Sequence, residues 1–327
     1  MSEVQNPRPA KRAKAFFSSW LWFLLLLIPL IELIALGITK QRVPSEDDWT
    51  RASDHIRRQS LAGDGTVVAP SWADPLLRLH LGNRMSLGDA APSDISAYER
   101  LWVVSSRGAL HPWEEIAASR TSEPPNRWDF GLLSVRLWQP LRSPLLYDFV
   151  AHVEEANVQF VEGSFPRHCP LERLGVRGGS GLFQGPMAPA VRHVCDRKRS
   201  WLWVGATVIE DLELKPRRCV WMHPAGREPV SILYEQVPRG SHVVVYAGLY
   251  YIHEREGQGG PVTLSVRSGS EAIGQLVHHD GDGWKRMVAK MPEHGAAFVD
   301  VTFEATAPDP HFRTLCWAAT MRRGDIL

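Results

Sequence analysis

The residues best suited to bind a cation lie in one short segment, from His279 to Trp284. Within it, Asp280 and Asp282 flank glycines, as carboxylates do in calcium-binding loops, although the full twelve-residue EF-hand pattern is absent. The same residues fit a tight hairpin in which Asp side chains cap backbone N–H groups. We therefore expect no metal or other cofactor, with Ca²⁺ as the alternative.

A second kind of chemistry is stacking on sugar rings, which needs aromatic side chains on an accessible surface. Tyr250, Tyr251 and His253 end a predicted strand near a glycine-rich loop at 257–260, and Trp284 lies beside a similar turn. Sugars offer an apolar face that aromatic rings cover well, with nearby polar groups for the hydroxyls. The alternative is that these rings pack in the core of the fold. The predicted ligand-binding residues are Tyr250, Tyr251, His253, His279, Asp280, Asp282 and Trp284.

No pattern in the sequence marks a catalytic centre. It contains neither the His-Glu-x-x-His metal motif nor a Gly-rich phosphate-binding loop. The run Gly178-Gly179-Ser180-Gly181 lacks the spacing of the nucleophile motif Gly-x-Ser-x-Gly and is better explained as a loop. The chain has 37 basic and 36 acidic residues, a balance that does not favour a nucleic-acid partner. We predict no catalytic residue and favour a role that is not enzymatic.

Four cysteines, at 169, 195, 219 and 316, predict two disulfides if the chain folds outside the cytoplasm. No pair has the Cys-x-x-Cys spacing of zinc or redox sites. Of the three possible pairings we favour Cys169 with Cys195, which closes a loop rich in Gly and Pro, and Cys219 with Cys316. Free buried thiols are the alternative.

An apolar run at residues 15–38 contains a single charged residue, Glu32. About 20 helical residues cross the hydrocarbon core of a bilayer, so this run is long enough to span it. Basic residues precede the run and acids at 46–48 follow it, which predicts a cytoplasmic tail at 1–14 and a periplasmic C-terminal portion. The alternative is a cleaved signal peptide, whose apolar core would be about 7 to 15 residues long.

An acid at the depth of Glu32 is costly inside a membrane and by default suggests a function. Glu32 is therefore predicted to contact a membrane-protein partner. The alternative is an acid that is simply tolerated near the end of the helix.

The pattern of residues 39–110 predicts a small α/β domain. Ser45 followed by three acids is typical of a helix start, because Ser caps the first N–H groups and the acids face the positive end of the helix dipole. Helices that alternate with short strands favour a parallel sheet. The predicted elements are a helix that begins at Ser45, a strand at 66–70, a helix at 74–81, a helix at 93–100 and a strand at 101–104.

Residues 111–327 predict an antiparallel β-sandwich. Apolar and polar residues alternate at 262–267 and again at 299–304, as they do in strands with one buried face. Turn residues separate several such runs, which indicates a jelly-roll-like sandwich. The predicted fold class is thus α+β: one N-terminal transmembrane helix, a small α/β layer and the sandwich. The strand-length runs are 201–204, 241–249, 262–267, 285–289 and 298–303.

Two stretches resemble known families. Residues 48–58, followed by GDGTVVAPSW at 63–72, resemble the soluble portion of bacterial dolichyl-phosphate-mannose mannosyltransferase-like membrane glycosyltransferases. The segment HHDGDGWK at 278–285, followed by strands and by RTLC at 313–316, resembles the ending of galactose-binding-like β-sandwiches. Such transferases carry many spans, whereas one is predicted here, so the first resemblance implies a detached accessory domain.

These patterns together predict a membrane-anchored, extracytoplasmic binding protein of the cell envelope. Its sandwich would bind carbohydrate or a protein partner. One alternative is an accessory or degenerate relative of an envelope glycosyltransferase, in which Glu32 and residues 45–105 contact a multispan partner. The other is a hydrolase, which requires a pocket that holds two converging carboxylates or a His–acid pair.

Overall fold

The structure of the chain is a computed structural model that describes seven parts of it. Residues 25–37 form helix α1, whose side chains, including that of Glu32, are exposed. Among the described residues, no helix combines the length and the apolarity that crossing a membrane requires. The remainder of the predicted span, the tail at 1–14 and the Gly178–Gly181 loop lie outside the described residues, so the anchor and the partner of Glu32 stay predictions. The described residues are 25–37, 43–82, 85, 92–163, 165–176, 187–257 and 259–324.

The first part of the fold is an α/β layer built on a four-stranded sheet. Its strands are β1 (Gly65–Ala69), β2 (Leu101–Ser106), β3 (Asn126–Phe130) and β4 (Leu133–Trp138), in the order β1-β2-β4-β3. β1 and β2 are parallel, as predicted, whereas β4 is antiparallel to both of its neighbours. The β3–β4 hairpin therefore carries this sheet beyond residue 110, where the sequence pattern predicted a division.

Helices cover both faces of this sheet. α2 (Glu46–Gln59) and α3 (Asp74–Leu81) pack on one face, and α4 (Trp113–Arg120) packs on the other. α2 begins as predicted, because Ser45 Oγ accepts a hydrogen bond from the N–H of Asp48 and the Asp48 carboxylate accepts one from the N–H of Ser45. This reciprocal cap satisfies two backbone donors that a helix start otherwise leaves unpaired.

The helix predicted from Ser93 to Arg100 is wrong, since turns and bends occupy this segment. The side chain of Asp94 explains the difference. Its carboxylate accepts hydrogen bonds from the N–H of Ser96 at 2.8 Å, from Tyr246 Oη at 2.7 Å and from Arg322 Nη2 at 2.6 Å. Side-chain bonds of this kind compete with helical backbone bonds. We call Asp94, Tyr246 and Arg322 the Asp94 junction, because it joins the α/β layer to the second part of the fold.

The second part of the fold is a β-sandwich of two antiparallel sheets, as the alternating residues predict. The eight-stranded sheet contains β5 (Leu145–Asp148), β8 (Leu171–Arg173), β9 (Val191–Val194), β10 (Trp203–Glu210), β11 (Pro216–Met222), β13 (His242–Leu249), β16 (Lys285–Lys290) and β18 (Leu315–Arg322). The six-stranded sheet contains β6 (Asn157–Glu162), β7 (Phe165–His168), β12 (Val230–Pro238), β14 (Val262–Ser268), β15 (Glu271–His278) and β17 (Phe298–Thr306).

The strand orders place late strands beside early ones. The eight-stranded sheet runs β16-β13-β18-β11-β10-β9-β8, with β5 also paired to β18, and the six-stranded sheet runs β15-β14-β17-β12-β6-β7. From β12 to β18, most connections lead from a strand of one sheet to a strand of the other sheet. The jelly-roll-like class stays a prediction, since only the sandwich itself follows directly from these pairings.

The main hydrophobic core lies between the two sheets. Its largest side chains are aromatic, and the ring of Trp317 stacks on Phe303 with the centroids 4.2 Å apart. Phe149 meets Phe303 and Tyr234 edge to face. Each buried aromatic side chain removes a large apolar area from water, so this cluster is a main source of the stability of the sandwich.

Both predicted disulfides are confirmed: Cys169 pairs with Cys195, and Cys219 pairs with Cys316. The first closes the segment that precedes β10. The second joins β11 to β18, which are neighbours in the eight-stranded sheet.

Candidate functional site

The predicted residues Asp282 and His279 belong to a turn that is closed by its own side chains. Asp282 Oδ2 accepts hydrogen bonds from the N–H of His279 at 2.8 Å and from Lys285 Nζ at 2.9 Å. These two bonds lower the pKa of Asp282 to about 2, because both stabilise the ionised form. Asp282 therefore caps the hairpin, in agreement with the hairpin interpretation of the sequence.

Asp280 is engaged with a fully buried arginine, Arg313. Arg313 Nη1 donates to Asp280 Oδ1 at 2.7 Å and to the carbonyl of Gly260 at 3.3 Å, and Arg313 Nε donates to the carbonyl of His311 at 3.3 Å. A Cβ atom on Gly259 would overlap this guanidinium group, so glycine is required there. Arg313 thus holds three loops against one another at this end of the sandwich.

The described residues contain no group of three His, Cys, Asp or Glu side chains that could hold a metal ion. In the predicted loop, the carboxylates of Asp280 and Asp282 already bind Arg313 and Lys285. The Ca²⁺ alternative stays a prediction, and a bound ion would have to share both carboxylates with these cationic side chains.

A buried carboxyl–imidazole pair fixes the same turn to helix α5 (Tyr251–Glu256). Glu254 Oε1 accepts a hydrogen bond from the N–H of Gly283 at 2.6 Å and lies 3.8 Å from His278 Nε2. His278 Nε2 is 2.8 Å from the carbonyl of Gly283. Burial raises the pKa of Glu254 and lowers that of His278, so both groups are shifted toward their neutral forms.

Tyr250 and Tyr251 lie in a buried cluster on the outer face of the eight-stranded sheet. Each is only 3% exposed, so neither ring has a free face for a ligand. Trp284 contacts the same cluster, and its Nε1 donates to Ser93 Oγ at 3.2 Å. Its ring also lies 5.6 Å from the guanidinium carbon of Arg217. Both tyrosines are thus packed as the core-packing alternative predicts. Trp284 links the same cluster to the α/β layer through Ser93.

His253, the remaining predicted residue, lies in a group of rings that reaches the surface. We call Trp201, His223, His253, His311 and Phe312 the ring surface. Its centroid distances are 4.3 Å from Trp201 to His223, 5.0 Å from His253 to Phe312 and 4.3 Å from His311 to Phe312. Trp201 is 40% exposed and Phe312 36%. The group lies where β10 and β18 begin and where β11 and β13 end.

The backbone holds Phe312 in an unusual conformation. Its φ is 56°, in the left-handed region that bulky residues rarely adopt. The neighbouring hydrogen bonds, from the N–H of His311 to Asp309 Oδ1 and from the N–H of Arg313 to the carbonyl of Pro310, keep the loop in place. Strained residues of this kind cluster at ligand clamps and other functional sites, which makes Phe312 the most informative member of the group.

Two imidazoles of the ring surface, those of His223 and His253, are shifted toward the neutral state. Burial lowers the pKa of His223 to about 4, and the nearby charges of His253 and Arg313 act in the same direction. Burial also lowers the pKa of His253, whose Nδ1 is 2.9 Å from Thr314 Oγ1. At neutral pH, His223 and His253 therefore present uncharged rings with hydrogen-bonding nitrogen atoms.

A cleft of about 230 Å³ is lined in part by Ser200 and Leu202, the two chain neighbours of Trp201. Its polar lining is charged: Arg197 Nη2 donates to both carboxylate oxygens of Glu172, at 2.9 Å each. Asp196 also lines it. Asp196 binds the N–H of Lys198 and the Arg199 guanidinium, and these bonds lower its pKa. The other polar or aromatic lining residues are Arg192 and Trp203.

The hydrolase alternative needs a carboxyl group of raised pKa in an open pocket, beside a second carboxylate. Asp196 lines the cleft but has a lowered pKa. Glu254 has a raised pKa but a side chain with no exposed surface. Neither of these two carboxyl groups therefore meets both requirements.

Sequence reasoning missed four of the five members of the ring surface, namely Trp201, His223, His311 and Phe312. One signal could have found two of them. Trp201 and Trp203 are two residues apart, as are Trp221 and His223, and residues at this spacing share a face of a strand. The cleft had no comparable signal, since its charged residues come from three separate segments.

Comparisons with known proteins identify no family. No family model matches the chain, and no curated protein matches it. Similar solved structures include the CBM51-2 and INT domains of Clostridium perfringens ZmpB in complex with GlcNAc, at 10% identity and a TM-score of 0.29, covering 56% of this chain and 39% of that one. The CBM51 of C. perfringens GH95 in complex with methyl-galactose has 9% identity and a TM-score of 0.27, covering 36% of this chain and 81% of that one.

A third similar structure is the CBM36-1 domain of a xylanase from the hindgut metagenome of Trinervitermes trinervoides, at 10% identity and a TM-score of 0.24, covering 52% of this chain and 99% of that one. This chain thus spans well under half the length of the ZmpB structure. TM-scores of this size are too low to relate the folds. The comparisons give no support to the mannosyltransferase-like resemblance.

Proposed function

We propose that this protein binds carbohydrate through its ring surface, and that the helix predicted at 15–38 anchors it in the membrane with the sandwich on the periplasmic side. The observation that carries the binding proposal is Phe312. This ring is exposed at the surface from a left-handed backbone conformation, and the fully buried Arg313 fixes the loop that carries it. Leu214 also combines a left-handed backbone with an exposed apolar side chain, and what distinguishes Phe312 is that its ring contacts the rings of His253 and His311.

The chemistry of the ring surface suits a sugar. Trp201 and Phe312 are the two exposed aromatic faces, and the C–H face of a pyranose covers such rings well. The half-buried His253 imidazole has a lowered pKa and is neutral at pH 7, so it can exchange a hydrogen bond with a sugar hydroxyl without a charged partner. Apolar area with a few fixed polar groups is the usual composition of a small-molecule site.

The test is calorimetric titration of the full chain, purified in detergent, with GlcNAc, methyl-galactose and oligomers of both sugars. Phe312→Gly is the sharpest variant, because glycine adopts a φ of 56° without strain and so removes the ring without threatening the fold. We expect Phe312→Gly and Trp201→Ala each to weaken binding about tenfold, roughly 1.4 kcal/mol.

The matched control is Phe165→Ala, which removes a ring that is 75% exposed on β7, in the other sheet. It should leave the affinity unchanged. The binding proposal fails if none of these sugars binds, or if the two ring-surface variants bind as tightly as the control.

The anchor is tested separately on membranes from cells that express the full chain. The motivation is the apolar run at 15–38 and the basic residues before it. We expect the protein to resist extraction at alkaline pH, and a protease added to spheroplasts to digest the sandwich but spare the N-terminus. Release of the intact chain by alkaline extraction would contradict the anchor and would leave the binding proposal standing.

A further inference from the structure

We infer that the ligand is a neutral oligosaccharide that runs from the ring surface into the cleft beside it, so that the two form one extended site. The inference rests on the proposed function and adds the size and charge of the ligand. Three observations carry it: the shared loop that separates the two surfaces, the way the charges in the cleft are paired, and the number of separate places at which a sugar ring could stack or bind.

One loop contributes to both surfaces. Trp201 belongs to the ring surface, whereas its neighbours Ser200 and Trp203 line the cleft. The carbonyl of Trp201 accepts hydrogen bonds from the N–H of Trp203 at 3.1 Å and from Trp221 Nε1 at 3.3 Å. The backbone of Trp201 is thereby fixed between a residue of the ring surface and residues that line the cleft, so a ligand longer than one ring can reach from one to the other.

The loop is also fixed at its base, so the boundary is preorganised. Cys195 is bonded to Cys169, and its N–H donates to the carbonyl of Leu202 at 3.2 Å. Within the loop, Asp196 Oδ2 accepts from Arg199 Nε at 2.7 Å. A site that is rigid before binding loses less conformational entropy when the ligand arrives.

The pairing of charges in the cleft indicates a neutral ligand. Arg197 is already bound to both oxygens of Glu172, and Asp196 is bound to Arg199. The other guanidinium group that lines the cleft, that of Arg192, donates to the carbonyls of Gly175 and Pro189. An anionic sugar would have to compete with these carboxylates for the guanidinium groups. Sugar hydroxyls can donate to further lone pairs of the Glu172 and Asp196 carboxylates, and they leave both ion pairs intact.

The number of separate exposed groups indicates more than one sugar ring. Trp201 contacts the ring of the buried His223, whereas Phe312 contacts the rings of His253 and His311. These two stacking positions and the cleft make three places for sugar rings. A monosaccharide could occupy only one of them at a time, whereas an oligosaccharide gains from all three through one association event.

The experiment titrates the full chain with galactose oligomers of one to six rings and with galacturonate oligomers of the same lengths as the anionic match. GlcNAc oligomers of one to six rings form a second neutral series. We expect the affinity for at least one neutral series to rise tenfold or more between one and four rings. We expect the galacturonates to bind more weakly than galactose oligomers of equal length.

Single substitutions show which part of the extended site produces the gain in affinity with oligomer length. Glu172→Gln keeps the shape of the side chain but breaks the ion pair in the cleft, and should weaken tetramer binding about tenfold while monomer binding stays the same. Glu213→Gln is the matched control, because Glu213 also pairs with a cation, Lys215, but is exposed on the distant β10–β11 hairpin. Phe312→Gly should weaken binding of both monomer and tetramer.

The outcomes separate the two proposals. Monomer binding that depends on the ring surface without any gain from longer chains would overturn the extended site and leave the proposed function intact. Tighter binding of galacturonates than of galactose and GlcNAc oligomers would overturn the neutral class. An unchanged tetramer affinity in Glu172→Gln would remove the cleft from the site. Binding of none of the oligomers would remove the proposed function itself.

Discussion

Replacing Asp94 by Asn should destabilise the whole chain, because Asp94 is the acid that joins the α/β layer to the sandwich. Asn keeps the size of the side chain and can still accept from Ser96. It removes the negative charge that faces Arg322, whose side chain is only 3% exposed. The Asp94 carboxylate itself is 14% exposed, so solvent screens this pair weakly.

The expected loss can be worked out in two ways. The charge of Arg322 and the hydrogen bonds that Asp94 accepts outweigh the cost of burial and lower the pKa of Asp94 from 3.8 to about 2. At about 1.4 kcal/mol for each pKa unit, this corresponds to about 2 kcal/mol. Breaking a buried ion pair costs about 3 to 5 kcal/mol when the other charge is left unpaired. The figure of about 2 kcal/mol counts only the stabilisation of the ionised Asp94 carboxylate. The figure of about 3 to 5 kcal/mol also includes the cost of leaving the buried Arg322 charge without its partner. We therefore expect about 3 kcal/mol.

The assay is urea unfolding of the full chain, followed by the fluorescence of its 13 tryptophans. With an m-value of about 3 kcal/mol per molar urea, the midpoint should fall by about 1 M at pH 7. Because folding lowers the pKa of Asp94, its contribution is present above about pH 4 and is lost as the pH falls to about 2. The gap between wild type and variant should therefore shrink over that window.

The control is Asp129→Asn. Asp129 pairs with Arg127 on the surface, where both side chains are 60% exposed, so its loss should cost less than about 1 kcal/mol. Equal midpoints for wild type and Asp94→Asn at pH 7, or a gap that does not change with acidification, would refute the role given to the Asp94 junction.

Two further predictions concern the sandwich. Replacing Cys219 and Cys316 by Ser should lower the free energy of unfolding by roughly 5 kcal/mol, and replacing Cys169 and Cys195 should lower it by roughly 3.5 kcal/mol. The bonded residues are 97 and 26 positions apart, and a longer loop gains more from closure. Urea midpoints would measure both losses, and a larger loss for the shorter loop would contradict this account. The pKa of His223 is lowered from 6.5 to about 4 in the folded chain. Between these pH values the unfolded chain binds more protons than the folded chain, so stability should fall on acidification. His223→Gln should therefore show a shallower fall of Tm from pH 6.5 to 4, and equal slopes for the variant and the wild type would contradict this role of His223.

Local physics made much of the fold predictable. Ser45 and the acids after it predicted the start of α2, because a helix cap depends only on residues within one turn. Alternation of apolar and polar residues predicted β14 and β17, since each strand buries one face. The favoured one of the three possible cysteine pairings was also confirmed, and it was chosen because Cys169 and Cys195 close a loop rich in Gly and Pro.

Features that depend on distant residues were not predictable. Asp94 contacts Tyr246 and Arg322, which are 152 and 228 positions away, and nothing near Asp94 indicates that it leaves the predicted helix. Tyr250 looked accessible because alternation shows that a strand has two faces but not which of them another element covers. Phe312 carried no signal at all, since a left-handed backbone is expected at Gly or Asn and not at Phe.

The Cys219–Cys316 bond also has a consequence for the order of events during maturation. β11 and β18 are paired at only two positions, Val220 with Trp317 and Trp221 with Cys316. His223 follows the first of these strands, and Phe312 precedes the second. In a reducing compartment, a short ladder of backbone bonds would be the main direct link between the two sides of the ring surface. Oxidation adds a covalent link between the same two strands, so the reduced chain should bind the proposed carbohydrate ligand more weakly, and binding should recover as the disulfide closes.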